Sequence, residues 1–166
     1  LPNNKPIIKF SETDIIDCIK LLKEYGFDIT RKYVCFSVRD GTFHNDSDLS
    51  SHRNSSINEY SEAMIYLVKL GYQVLRIGSK TAETLSLNNP SIYDYATNGM
   101  RTELLDLFII SKCEFLIGTG SGIDSVASIF RRPQVFINIA EIGPLYWHTS
   151  DAIIIFKKLQ AKDEGI

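Results

Sequence analysis

The segment from Phe115 to Phe130 constrains the fold more than any other part of this chain. It begins with a short apolar run, Phe115 to Ile117, and breaks into alternating glycines and hydroxyl residues from Gly118 to Gly122. Apolar side chains then recur at the spacing of one helix face, at Ile123, Val126, Ala127 and Phe130. The segment therefore predicts a buried strand, a tight turn and an amphipathic helix.

The turn, Gly118-Thr119-Gly120-Ser121-Gly122, has the composition of an anion-binding site. Glycines remove Cβ atoms where a ligand approaches the backbone, and unpaired N–H groups at the start of a helix attract negative charge. A phosphate or pyrophosphate suits such a position. The alternative is a turn whose small residues serve only close packing. The turn is neither a G-x-G-x-x-G fingerprint nor a Walker A loop, because its glycines fall at every second position and no lysine follows.

The composition bounds the class of protein. A chain of 166 residues is long enough for one domain with its own core. A net charge of −2 argues against nucleic-acid binding, which usually requires a basic excess. No apolar run approaches the roughly 20 residues that span a bilayer, so we expect a cytoplasmic protein, at most held at the inner face of the membrane. We also expect buried, reduced thiols at Cys18, Cys35 and Cys113, which are widely spaced.

Strand and helix patterns alternate along most of the chain. Strands are predicted at 33–38, 73–77, 92–95, 115–117, 134–138 and 152–156. Helices are predicted after capping boxes at Ser11-Glu-Thr-Asp14 and Ser56-x-x-Glu59 and over 102–111, with a long polar loop at 42–55. Short apolar strands that alternate with helices predict an α/β fold, a doubly wound, Rossmann-like parallel sheet. We assign 1–166 to a single domain, with a lead-in segment and helix at 1–31 and the core at 32–158.

Polar residues follow the predicted strands at their carboxyl ends, where ligands bind in doubly wound sheets. Arginine matches phosphate bidentately, so Arg39, Arg76 and Arg101 are candidates for neutralising a phosphate, and Arg53 is a further candidate for binding. The alternative is that each arginine pairs with a carboxylate such as Asp106 or Asp40. The remaining candidate binding residues are Asp40, Gly78, Ser79, Gly118, Thr119, Gly120, Ser121, Gly122, Asp124 and Asn138.

Other catalytic motifs are not supported by the sequence. His44, His52 and His148 lack the spacing of metal ligands, and we expect no bound metal. Ser121 does not form the G-x-S-x-G nucleophile elbow, because Ile123 stands where the final glycine belongs.

Six segments carry a resemblance to a known family: residues 36–40, 53–54, 72–78, 101–106, 115–122 and 133–138. Together they resemble the C-terminal, donor-binding half of GT-B glycosyltransferases. They are most similar to a family of bacterial glycosyltransferases from surface-polysaccharide gene clusters, which is distantly similar to heptosyltransferases and fucosyltransferases. The glycine turn, followed by the strand after Pro133, is the most specific part of the resemblance.

The resemblance implies transfer of a sugar from a nucleotide-diphospho-sugar donor to a surface glycan, without a metal or cofactor. It implies that the diphosphate lies over Gly120 to Gly122, and that Arg39, Arg76 or Arg101 neutralises it as it leaves. It further implies that the glycan or lipid-linked acceptor and the general base belong to an N-terminal domain. We expect this chain, which begins without Met, to be a fragment that lacks that domain. The sequence shows no base-recognition motif, so UDP, GDP, ADP and CMP donors all remain open.

Two other functions are compatible with the sequence. A sugar-nucleotide epimerase of the same fold would need carboxylates and a histidine in the crevice, and Asp40, Glu141 and His44 are the candidates. A non-catalytic module that binds a nucleotide or a glycan would need only the binding residues. Fold alone does not decide among these functions.

Overall fold

The computed structural model describes residues 6, 8–42, 48–140 and 152–158. These residues form a six-stranded sheet of β1 (Tyr33–Ser37), β2 (Gln73–Ile77), β3 (Ile92–Asp94), β4 (Phe115–Gly118), β5 (Gln134–Ile139) and β6 (Ile153–Phe156). The strand order is β3-β2-β1-β4-β5-β6 and every neighbouring pair is parallel. The predicted α/β fold with a doubly wound parallel sheet is thereby confirmed. The order reverses between β1 and β4, and this reversal opens a crevice at their carboxyl ends.

Helices cover both faces of the sheet. The described helices are α1 (Glu12–Glu24), α2 (Ser61–Lys69), α3 (Glu103–Lys112) and α4 (Asp124–Ile129), with 3₁₀ helices at Asp48–Arg53 and Ile57–Tyr60. Buried side chains of α1, α3 and α4 share one core cluster, and those of α2 belong to a second cluster on the opposite face.

The alternation of side chains along β1 joins the two clusters. Tyr33 and Cys35 point into the cluster under α1 and α3, whereas Val34 and Phe36 point into the cluster under α2. All four side chains are buried, which explains why the strand reads as a continuous apolar run rather than an alternating one.

The lead-in segment also packs on the core through an aromatic side chain. The ring of Phe10 lies edge-on to that of Phe108, with centroids 5.4 Å apart, and stacks on Phe130 at 5.6 Å. The expected free thiols are confirmed as well, since the three cysteines are unpaired and buried.

The two predicted capping boxes differ in outcome. At Ser11 the box is present, because its Oγ accepts from the Asp14 amide at 3.1 Å and the Asp14 carboxylate accepts from the Ser11 amide. The prediction of a box at Ser56-x-x-Glu59 is wrong. Ser56 Oγ instead accepts from the Asn58 amide at 3.2 Å, and the residues that follow form a 3₁₀ turn before α2.

None of the helices within the described ranges combines the length and the apolar content needed to cross a membrane.

A buried ion pair joins β2 to β3. The Arg76 side chain is 3% exposed, and its Nη1 lies 3.1 Å from Asp94 Oδ2 and 2.7 Å from the carbonyl oxygen of Glu83. The Asp94 carboxylate also accepts from the Leu85 amide at 2.8 Å. This pair holds the irregular segment 80–91 against the sheet.

Removing one partner of such a pair leaves the other charge buried and unpaired. We therefore expect Arg76→Ala to lower the free energy of unfolding by about 3–5 kcal/mol. Thermal and urea denaturation measure the change, and Arg31→Ala, at an exposed arginine, is the matched control. A loss no larger than that of the control would contradict the assigned role of the pair.

Candidate functional site

An open cleft of about 700 Å³ lies at the carboxyl ends of β1 and β2, beside the turn that follows β4. One wall consists of the segments after β1 and β2, and the other of α3, the start of α4 and the glycine turn. The lining residues are Ser37, Val38, Arg39, Asp40, Gly41, Ile77, Gly78, Ser79, Lys80, Thr81, Arg101, Glu103, Asp106, Leu107, Ser121, Gly122, Ile123 and Val126. The cleft thus lies where the strand order predicts a ligand site.

The glycine turn is organised around the carboxylate of Asp124. Its Oδ2 accepts from the amides of Gly120 at 3.0 Å and Ser121 at 2.7 Å. Gly120 has a φ of +81°, a conformation that glycine adopts without strain. Two amides that the sequence offered to an anion are therefore satisfied by the protein's own carboxylate.

Asp124 is completely buried beneath the turn. Burial raises the pKa of its carboxyl from the usual 3.8 to about 6, and the hydrogen bonds from the amides of Ser121 and Gly120 oppose that rise. Its Oδ1 has no hydrogen-bond partner among the described residues. Gly118 makes room for this carboxylate, because a Cβ there would lie 2.5 Å from Asp124 Oδ1.

The next two amides of the turn are available to a ligand. Among the described residues, no protein acceptor takes the N–H of Gly122 or of Ile123, and both residues line the cleft. A Cβ added at Gly122 would meet no atom within 4 Å. Ser121 Oγ stands beside them, 3.1 Å from Ser37 Oγ. These groups form a hydrogen-bonding wall with space in front of it.

The turns after β1 and β4 are fastened to each other. The Arg39 amide donates to Thr119 Oγ1 at 2.8 Å, and the Thr119 amide donates to the Ser37 carbonyl at 3.2 Å. Thr119 is itself buried and does not line the cleft. Arg39 belongs to the cleft lining, so this backbone hydrogen bond fixes the position of its main chain, from which the side chain extends.

Asp40 links the β1 turn to the segment after β2. Its Oδ2 accepts from the Ala82 amide at 2.6 Å and its Oδ1 from the Thr42 amide at 3.1 Å. Both oxygens are thus committed to the backbone. The linked segment carries Gly78 and Ser79, two predicted binding residues that the structure does bring to the cleft.

Arg101 reaches the cleft as half of an ion pair. Its Nη2 lies 2.7 Å from Asp106 Oδ2, so the pairing with a carboxylate that the sequence offered as an alternative is present. Burial raises the pKa of Asp106, while the Arg101 charge and a hydrogen bond from Tyr95 oppose the rise. The arginine side chain stays 28% exposed and belongs to the cleft lining.

Arg53 and Asn138 lie beside the glycine turn but outside the cleft lining. Arg53 Nη2 donates to the Gly120 carbonyl at 3.1 Å, and Asn138 Nδ2 donates to Ser55 Oγ at 3.0 Å. Asn138 has a φ of +58°, which asparagine tolerates better than most residues. We call residues 52–55 the strap, because Lys157 Nζ also holds it at the His52 carbonyl, 2.8 Å away.

Arg76 is not brought to the cleft. Its guanidinium is buried in the ion pair with Asp94, so it cannot face a phosphate at this site. The physical reason is its pairing: the Asp94 carboxylate and the Glu83 carbonyl hold this side chain at the segment before β3. Three residues weighed from the sequence, His44, Glu141 and His148, lie outside the described residues.

Sequence reasoning missed several parts of the lining. Lys80 and Thr81 follow Gly78-Ser79 directly, so their position just after a strand could have identified them as candidate binding residues. Leu107, Ile123 and Val126 supply an apolar wall, and their helical spacing indicated only burial. Glu103, at the start of α3, carried no indication beyond a favourable helix dipole.

The formal charges of the lining side chains cancel. Its basic side chains are Arg39, Lys80 and Arg101, and its acidic side chains are Asp40, Glu103 and Asp106. Because three acidic side chains stand among the three basic ones, the cleft is not a simple basic patch. Two of these acids already have partners: Asp40 accepts from a backbone amide, and Asp106 pairs with Arg101. No cluster of three or more potential metal-binding side chains occurs within the described ranges.

Comparisons with known proteins identify the fold. No protein-family model matches the chain, and no curated protein sequence matches it significantly. Among solved structures, E. coli ADP-heptose LPS heptosyltransferase II superposes with a TM-score of 0.62 at 18% identity, over 89% of this chain and 44% of that one. The iron-containing dodecameric glycosyltransferase TibC of enterotoxigenic E. coli gives 0.50 at 19% identity, over 74% and 32%.

These identities are low, and the likeness establishes the fold: an α/β Rossmann-like unit of the kind found in GT-B glycosyltransferases. The chain spans less than half the length of the heptosyltransferase, 44%.

Substitution of two glycines in the turn is expected to affect stability differently. We expect Gly118→Ala to lower the free energy of unfolding by about 1–3 kcal/mol, since its methyl group would overlap the Asp124 carboxylate. Gly122→Ala is the matched control, because its methyl group enters open space, and its effect is expected within about 0.5 kcal/mol. Equal stabilities of the two variants, measured by urea denaturation, would contradict the described packing.

Proposed function

We propose that this chain is the donor-binding domain of a glycosyltransferase that transfers a sugar from a nucleotide-diphospho-sugar. One observation carries the proposal: within the described ranges no acceptor takes the amides of Gly122 and Ile123, and both residues line an open cleft where the strand order reverses. The shared fold with glycosyltransferases supports it.

The phosphate groups of the donor would bind at the glycine turn. In this proposal the amides of Gly122 and Ile123 and the hydroxyl of Ser121 donate to the phosphate oxygens, with Arg39 and Lys80 on the opposite wall. Hydrogen bonds from fixed amides and cations stabilise the charge that develops on a leaving diphosphate. This arrangement supplies the stabilisation without a metal ion, so we propose metal-independent transfer.

The nucleoside would bind against the apolar wall of Leu107, Ile123 and Val126. Carboxylates accept hydrogen bonds from ribose hydroxyls. Among the described contacts, Glu103 is the lining acid that neither accepts from backbone amides, as Asp40 does, nor pairs with Arg101, as Asp106 does. The Arg101–Asp106 pair adds a fixed donor and acceptor beside it. The cleft volume of about 700 Å³ is within the range of small-molecule sites.

The acceptor glycan and the general base would come from parts of the enzyme beyond this chain, which spans 44% of the heptosyltransferase. We assign no catalytic base here. Asp40, the carboxylate considered for an epimerase, has both oxygens committed to backbone amides, so the described geometry does not favour that reaction.

Calorimetric titration of the chain with UDP, GDP, ADP and CMP, each with and without EDTA, tests the proposal. We expect one nucleotide to bind with a dissociation constant in the micromolar to millimolar range, unchanged by EDTA. Binding that EDTA abolishes would contradict metal independence, and binding of none of the four would contradict the donor site.

The variant Gly122→Leu tests where the nucleotide binds. We expect it to abolish nucleotide binding, because the added side chain would fill the space in front of the turn amides. We also expect an unchanged melting temperature, since that space is open. Ser125→Leu is the matched control, because it adds the same side chain at an exposed position of α4 outside the cleft. Unchanged affinity in Gly122→Leu would contradict the site.

A further inference from the structure

The buried carboxylate of Asp124 lies within the turn that the proposed function assigns to the donor's phosphates. It holds the amides of Gly120 and Ser121, one and two residues before the amides left for the ligand. A bound diphosphate and this carboxylate would therefore share one turn, and both are negatively charged. Like charges at close quarters disfavour the ionised form of the weaker acid.

Nothing charged compensates Asp124 among the described residues. Its carboxylate lies near Ser37 of β1 and Ser121 of the turn, and Gln134 of β5 donates to its backbone carbonyl. All three of these side chains are neutral. The strap brings one cation near, but Arg53 donates to a carbonyl of the turn rather than to the carboxylate.

The helix packed against α4 presents charges that satisfy each other. On α3 and just before it, Asp106 and Arg101 form an ion pair 2.7 Å long. Glu103 is exposed at the cleft. Across the cleft, Arg39 and Lys80 belong to the lining on which we propose the phosphates bind.

Asp124 has a place for a proton. Its Oδ1 is buried and accepts no hydrogen bond from the part of the chain that the structure describes, while Oδ2 makes both contacts to the turn. A proton on Oδ1 would remove the charge and leave the two structural hydrogen bonds in place.

We infer that Asp124 is a positioning residue of the donor site, and that it takes up a proton from solvent on Oδ1 when the donor's diphosphate binds. The inference rests on the proposed function. The pKa of the carboxyl in the unliganded protein is about 6, so a modest further rise lets the carboxyl take up a proton near neutral pH. A negatively charged ligand raises that pKa further, so by linkage the affinity must rise as the pH falls.

The test compares the chain with Asp124→Asn, which keeps an acceptor oxygen for the turn amides and has no carboxyl proton. The ligand is a nucleotide-sugar, chosen from UDP-glucose, GDP-mannose and ADP-glucose, because its phosphates lack the terminal ionisation near pH 6 of a nucleoside diphosphate. We expect the unmodified chain to bind it roughly three- to tenfold more tightly at pH 5.5 than at pH 7.5, as for a pKa rise of about one unit. Asp124→Asn should lose this dependence and bind more tightly at pH 7.5.

Every titratable side chain other than that of Asp124 is unchanged in the variant. A pH dependence that persists in Asp124→Asn would therefore overturn the inference. Binding of no nucleotide-sugar at either pH would overturn the proposed function and the inference with it. If the variant fails to fold, calorimetry of the unmodified chain at pH 6.5 in two buffers of different ionisation enthalpy counts the protons directly. Uptake of a fraction of one proton supports the inference, and zero uptake overturns it.

Discussion

The pairing of β1 with β4 is the contact on which the rest of the site depends. It sets Ser37 beside Gly118 at the carboxyl ends of two parallel strands. The chain then leaves these strands toward opposite edges of the sheet, so their turns diverge and leave a crevice. The hydrogen bonds from Arg39 to Thr119 and from Thr119 to Ser37 fix the crevice at its base. The position of the site is therefore set by the order of the strands, and the polar side chains only line it.

The glycine turn shows how a protein can use part of an anion-binding loop for its own stability. A carboxylate from the same loop occupies two amides and leaves the next two open. Burying that carboxylate costs free energy, since desolvation disfavours its charged form. The two hydrogen bonds constrain the turn before any ligand binds, and a preorganised site binds with less loss of conformational freedom.

Most of the fold could be predicted from the sequence, because hydrophobic periodicity and helix caps are local. The short apolar strands, the box at Ser11 and the turn after β4 each needed only a few neighbouring residues to be recognised. The positions that could not be predicted depend on distant partners. Arg76 pairs with Asp94, 18 residues away, so its burial is not visible in the sequence around it. The role of Asp124 was hidden because an acid in the first turn of a helix already has a sufficient explanation in the helix dipole.

The central claim is that a diphosphate binds at the amides of Gly122 and Ile123. A nitrogen–proton correlation spectrum of the labelled chain, recorded during titration with the nucleotide that binds, tests it directly. The account predicts that these two amide resonances move furthest downfield, because both amides gain a charged acceptor. The Gly120 resonance should move less, because its amide keeps its hydrogen bond to the Asp124 carboxylate. Binding that shifts other amides and leaves Gly122 and Ile123 unchanged would contradict it.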